Sequence, residues 1–298
     1  MTRQPHDQFA KQYLEELLSP LGTVEVSREV TDETRHIDVD VFFSPNPDVA
    51  ETASNLGLLG RIITTTVLLE PFRNPPTRSE IRNCILKLFA MCAQRERQGK
   101  RENKGLNEAE LPHLWILATS VSGSSLEGFG AKLEINNPIE GVYLLSPSHR
   151  TGIISINQLP VTPETLCVRL LGRGQTQGQA VRELLTLPER DLFRRRVTEL
   201  LLSWRVSVEI QNILEEEDRE VFMALSQVYL EWKEATKREG LQQGQRQFIE
   251  NLLQVRFGEL DESLIKVIDE LLKLSPMESS RLLLESSRED LIRRFLSE

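Results

Sequence analysis

Two acid-bearing segments near the amino terminus are the residues best suited to chemistry. The first is Arg35-His36-Ile37-Asp38-Val39-Asp40-Val41-Phe42-Phe43, and the second is Thr65-Thr66-Val67-Leu68-Leu69-Glu70-Pro71-Phe72. The first alternates as a half-buried strand does, with Ile37, Val39 and Val41 on one face and His36, Asp38, Asp40 and Phe42 on the other. The second is an apolar run that ends in a carboxylate. If the two strands pair, Asp38 and Glu70 converge on one cation with their carboxylates about 4–6 Å apart. Two hard oxygen ligands on a rigid sheet suit Mg²⁺ or Mn²⁺, bound at about 2.0–2.1 Å for Mg²⁺, and phosphodiester hydrolysis is the chemistry such a site supports.

These strands need elements to position them. Asp7 to Leu18 reads as a helix with Phe9, Tyr13, Leu14, Leu17 and Leu18 on one stripe, ended by Ser19-Pro20 and Gly22. Thr23 to Val30 reads as a strand, and Thr31 to Thr34 as the turn into the acid-bearing strand. The loop from Ser44 to Asp48 opens a short helix through Leu59. Thr77 and Glu80 form a capping box for a helix with Ile81, Ile85, Leu88, Phe89 and Cys92 on one face. Gln94 to Glu110 carries Arg95, Arg97, Lys100, Arg101 and Lys104, which reads as a solvated helix end or as an edge that contacts phosphates. Leu114 to Ala118, Gly141 to Leu145 and Gly152 to Ile156 read as strands.

After Pro160 helical periodicity takes over. Pro163 to Leu187, Glu189 to Leu214 and Asp218 to about Gln247 read as long helices. Asp261 to Leu274, Pro276 to Leu284 and Ser287 to Leu296 read as shorter ones, and Gly258 as a stop. The expected organisation is an α/β domain over residues 1–160, a helical connection over 161–247 and a helical domain over 248–298.

At this point the residues resemble the PD-(D/E)XK nuclease superfamily, in particular the Rpn-like recombination-promoting nucleases, also called putative transposases, and a cyanobacterial branch with a C-terminal helical domain of unknown function. The pieces that match are Asp7 with Lys11 on the first helix, Arg35 before Asp38 on the second strand, and Glu70-Pro71-Phe72 ending the third. Arg78 and Arg82 are loose matches for a basic residue on the next helix. The resemblance implies a restriction-endonuclease-like mixed sheet flanked by helices. It implies a metal-dependent DNA endonuclease with Asp38 and Glu70 as ligands of Mg²⁺ or Mn²⁺, and Asp7 and Lys11 in support. One position departs. Phe72 stands where the superfamily has a Lys or Gln that positions the attacking water, and a phenyl ring cannot do that. A charge from Arg78, Arg82 or Lys87 is the available substitute. The competing expectation is a non-catalytic nuclease-fold protein that self-associates through its helices.

Composition bounds both readings. The 298 residues carry a net charge of -9, which argues against non-specific coating of nucleic acid but not against a locally basic site. Three cysteines without metal spacing suit a reducing cytoplasm. His6, His36, His113 and His149 are scattered, so zinc is not expected. No apolar run reaches the roughly 20 residues of a membrane helix. Ser122 to Ser125 reads as a loop, and Gly172-Arg173-Gly174 as a helix break. Gly240 and Gly244, four apart, read either as a close approach between helices, such as a homodimer would use, or as a hinge.

Overall fold

The structure is a computed structural model that describes residues 5–32, 35–102, 107–134 and 138–296, without the side chains of 29–37, 50, 51 and 239. The expectations for the side chains of Arg35, His36 and Ile37, for the turn residues Glu33 and Thr34, and for Lys104 lie outside the described residues. The chain is mixed α/β, a seven-stranded sheet with flanking helices followed by a helical region, as the sequence pattern leads one to expect.

Helix α1 (Pro5–Leu18) is followed by β1 (Gly22–Asp32), β2 (Arg35–Pro45), the short helices α2 (Val49–Thr52) and α3 (Leu58–Ile62), and β3 (Val67–Phe72). Helix α4 (Arg78–Arg101) leads to β4 (His113–Ala118), α5 (Gly123–Gly128), β5 (Lys132–Leu133), β6 (Val142–Leu144) and β7 (Thr151–Ser155). The strand order is β1-β2-β3-β4-β7-β6-β5. The pairs β3·β4 and β4·β7 are parallel and the rest antiparallel. A parallel pair needs a long crossover, and α4 supplies it between β3 and β4. The capping box at Thr77 and Glu80 is formed in both directions, and it starts α4 where the sequence places it. Helix α4 runs on to Arg101, so Arg95, Arg97, Lys100 and Arg101 lie on it. Ser122 caps α5 by accepting from the Ser125 N–H, so the segment read as a loop opens a short helix.

The sheet has a different core on each side. One side packs under α4: Val39, Phe42, Leu68, Leu114, Ile116 and Ile153 meet Ile81, Cys84, Leu88, Met91 and Cys92. The other packs under α1, where Val41, Phe43, Val67 and Leu69 meet Phe9, Tyr13, Leu14 and Leu18. This second core continues through α6 (Leu166–Arg169), α7 (Gly174–Thr186), α8 (Leu192–Gln211) and α9 (Asp218–Ala224). The change near residue 160 is therefore a change of secondary structure within one core. Residues 1–226 form one compact unit. The segment from Pro163 to Leu187 breaks at Gly172-Arg173-Gly174, where Gly174 has φ +58°.

Tyr13 joins α1 to α6. Its ring is fully buried, and its hydroxyl donates to the Cys167 carbonyl at 2.8 Å. Tyr13→Phe removes the donor and strands a buried acceptor. The expected result is a loss of about 1–3 kcal/mol in denaturant unfolding, the usual cost of a buried polar group left unpaired. A change below about 0.3 kcal/mol would contradict this role.

The second compact unit spans residues 227–298 and contains nearly all of α10 (Ser226–Phe257), with α11 (Glu262–Leu271), α12 (Pro276–Glu285) and α13 (Arg288–Leu296). Its core is Ile249, Leu253, Leu264, Val267, Ile268, Leu271, Leu283 and Leu291. Gly258 ends α10 with φ +84°, and Ser275 with Glu278 forms the capping box of α12. A Cβ added at Gly240 or Gly244 would meet nothing within 4 Å, so neither glycine serves a close approach among the described residues. No helix among the described residues is long and apolar enough to cross a membrane.

Candidate functional site

A cleft of about 510 Å³ opens beside the carboxyl end of β3, lined among others by His6, Asp7, Lys11, Asp38, Asp40, Phe72 and Arg73. Its shape begins at one residue pair. The β1·β2 ladder is regular except at Ser27 and Asp40, where the pairing is interrupted and Ser27 takes φ +56°. A left-handed residue inside a strand rotates the chain, and alternation resumes in the opposite phase. Val39 consequently packs on the α4 side while Val41 packs on the α1 side. The single face expected for Val39 and Val41 is thus divided at Asp40. Asp38 and Asp40 both open toward the α1 side, on the cleft.

There α1 delivers its charged pair. Lys11 Nζ lies 2.6 Å from Asp40 Oδ1 and 3.1 Å from Asp7 Oδ2. Burial works against the Lys11 ammonium, but its bonds to Asp40 and Asp7 outweigh it and hold the pKa above the usual lysine value. Asp38 is exposed. Of the expected site residues, Asp7, Lys11 and Asp38 therefore share one cleft, joined by Asp40.

Glu70 is placed differently. It is 1% exposed, points to the α4 side and does not line the cleft. Its Oε2 takes the Lys87 ammonium at 2.7 Å, and its Oε1 accepts the Asp40 backbone N–H at 3.4 Å. Cys84 Sγ lies 3.9 Å from Oε2. Burial, only partly countered by Lys87, pushes the Glu70 carboxyl up to about 7. Of the two residues expected to share one cation, Asp38 lines the cleft and Glu70 does not. The residue drawn to Glu70 is Asp40, and its link is a backbone N–H. Lys87, one of the basic residues on α4 that the sequence offers, is engaged with Glu70 and does not line the cleft. Arg78 instead donates to the Ser124 carbonyl at 2.7 Å, and Arg82 is exposed.

The far wall of the cleft is an ion network that sequence pattern did not reveal. Arg73 hydrogen-bonds Asp218 and lies 3.1 Å from Glu215. Arg173 lies 2.9 Å from Glu215 and 3.2 Å from Glu217. Arg73 and Asp218 are 145 positions apart, which leaves no local signal. Among the described residues, His6, Glu215 and Asp218 bring three donor atoms within 4.8 Å of one another, a spacing that a metal ion accepts. Two facts oppose an ion there. Trp204 Nε1, which can only donate, bonds His6 Nδ1 at 3.0 Å, so the neutral ring carries its proton on Nε2, the nitrogen 3.6 Å from Asp218. A protonated nitrogen is not a metal ligand. The Arg73 guanidinium also already supplies the cation. Burial, then Arg73, lowers the His6 pKa to about 4, so the ring is neutral at pH 7.

Comparison with protein-family models, curated proteins and solved structures finds no match to this chain.

Proposed function

We propose that the chain is a metal-dependent nuclease acting on DNA, of the recombination- or transposition-associated kind its motifs resemble, and that it works at the cleft of Asp38. The observation that carries this reading is the delivery of Asp7 and Lys11 from α1 and Asp38 and Asp40 from β2 to one open cleft. A divalent cation fits Asp38 but not Asp38 and Glu70 jointly. Asp38 offers an exposed carboxylate, and a hard cation that keeps most of its water needs only one or two. Glu70 has both oxygens engaged. When bound, such an ion supplies Lewis-acid polarisation of a phosphoryl oxygen. The chain's own contribution is positioning. Glu70 anchors the Asp40 backbone, Asp40 and Asp7 orient Lys11, and Lys11 stays positive to meet a phosphate.

The engagement of Glu70 and the presence of Phe72 favour a second reading, a non-catalytic nuclease-fold protein that self-associates through its helices. One experiment separates the two. Plasmid incubated with Mg²⁺ or Mn²⁺ is expected to be nicked or linearised, and Asp38→Asn is expected to reduce cleavage to the level without metal. Calorimetry should show Mn²⁺ binding lost in the same variant. Equal cleavage by both proteins would mark a contaminant. Absence of cleavage and of metal binding in the wild type would replace the first reading with the second.

A further inference from the structure

A second cavity, of about 470 Å³, lies at the opposite end of the parallel strands, where β4 and β7 begin. Trp115 forms its aromatic wall. Register places Trp115 beside Gly152, and a Cβ at Gly152 would come within 2.2–2.6 Å of three atoms of the indole. Only glycine leaves the ring room to lie flat across β7. The ring is half-buried and lines the cavity, together with Ile62, Leu144 and Leu145.

The polar groups around it include the cations Arg61 and Arg150, His113 and one carboxylate, Glu134. Arg61, on α3, lies 3.2 Å from Glu134 through Nη2, while its buried Nη1 finds no hydrogen-bond partner among the described residues. Glu164 is 3.7 Å from that nitrogen, near enough for charge but not for a hydrogen bond. Arg150 spends its guanidinium on the Leu111 and Pro112 carbonyls. Its Nη2 also faces His113 Nδ1 at 3.3 Å. A guanidinium can only donate, so His113 Nδ1 accepts and Nε2 carries the proton. Burial, then Arg150, lowers the His113 pKa, which keeps that ring neutral.

A flat indole on a cleared bed, a guanidinium nitrogen without an acceptor and the His113 ring line a cavity of ligand size. We infer that this cavity binds a nucleotide, with its base stacked on Trp115 and its phosphate drawn to Arg61. Stacking needs only a π-face, so any base serves, and guanidinium suits phosphate. The nucleotide is either free or the phosphorylated end of a single strand. The inference stands apart from the reading of the Asp38 cleft.

The test is calorimetric titration of the full chain with AMP, adenosine, inorganic phosphate and a 5′-phosphorylated single-stranded tetranucleotide. AMP is expected to bind more tightly than adenosine, and phosphate alone weakly. Trp115→Leu is expected to weaken AMP by about 5- to 150-fold, the range for loss of one base–aromatic stack. Arg61→Gln leaves the indole in place, and it should weaken AMP while leaving adenosine unchanged. Gly152→Ala should weaken both by displacing the ring. Tetranucleotide binding at least as tight as AMP assigns the site to strand ends, and AMP binding alone assigns it to the free nucleotide. Either result supports a nucleotide pocket. Absence of saturable AMP binding at millimolar concentration overturns it, as does wild-type AMP affinity in Arg61→Gln and Gly152→Ala.

Discussion

Lys87→Met is expected to lower stability by about 3–5 kcal/mol at pH 8, the cost of leaving a buried charge without its partner. Glu70 is 1% exposed, and Lys87 is its ion-pair partner at 2.7 Å. The effect has a sign in pH. Burial raises the folded Glu70 pKa above its ordinary value of 4.5, so this carboxyl works against folding once pH exceeds 4.5 and is relieved as pH falls. Removing Lys87 raises that pKa further. The deficit of the variant should therefore be largest above pH 7 and shrink as pH falls below it, where the folded carboxyl is protonated in both proteins. The double variant Lys87→Met with Glu70→Leu should recover most of the stability, because an apolar pair of similar volume is often neutral or better. Urea unfolding at pH 5 and pH 8 measures all three proteins. A deficit independent of pH, or no recovery in the double variant, would mean that Lys87 acts through packing and not through charge.

Removing Arg73 should cost as much for a different reason. Asp218 is 1% exposed and hydrogen-bonds Arg73, which also holds Glu215. Arg73→Leu leaves a buried carboxylate facing His6, and the expected loss at pH 8 is again about 3–5 kcal/mol. Arg73 is also one of the causes, after burial, that hold the His6 pKa at about 4, while Asp218 and Glu215 pull it upward. Without the guanidinium one of the lowering influences is gone and the His6 pKa should rise, with burial and Arg173 still opposing Asp218 and Glu215. A histidine whose folded pKa is raised adds stability below its unfolded value and loses it as pH climbs through the folded one. The variant should accordingly regain stability at pH 5, where imidazolium stands in for guanidinium. NMR titration of the His6 ring protons together with unfolding at both pH values checks this. An unmoved His6 with an equal deficit at pH 5 and pH 8 would refute the electrostatic role of the network.

Element identity was legible wherever the signal was local. The capping boxes at Thr77 with Glu80 and at Ser275 with Glu278, and the stop at Gly258, act within a few residues and appear where the sequence places them. The apolar run of β3 and the stripe of α1 were equally readable, and so was the α/β class with its helical continuation. Asp7 and Lys11 on α1 and Asp38 on β2, grouped in the sequence only through the resemblance, line one cleft. The sequence did not show which side of the sheet each acid takes. Strict alternation puts Val39 with Val41, and only the left-handed turn at Ser27 on the neighbouring strand reverses the phase at Asp40. That turn sits on a different strand from the residues it redirects. The bond from Trp204 to His6 spans 198 positions and the pair of Arg73 with Asp218 spans 145, so neither leaves a periodic trace. Composition changes at residue 160, yet the core under α1 continues to Leu225, because burial follows packing in space and not the change from strands to helices. The sequence by itself determined the elements and the charged residues they carry. The tertiary structure decided that Asp38 faces the cleft while Glu70 is enclosed with Lys87, since burial and charge pairing depend on what other parts of the chain bring alongside.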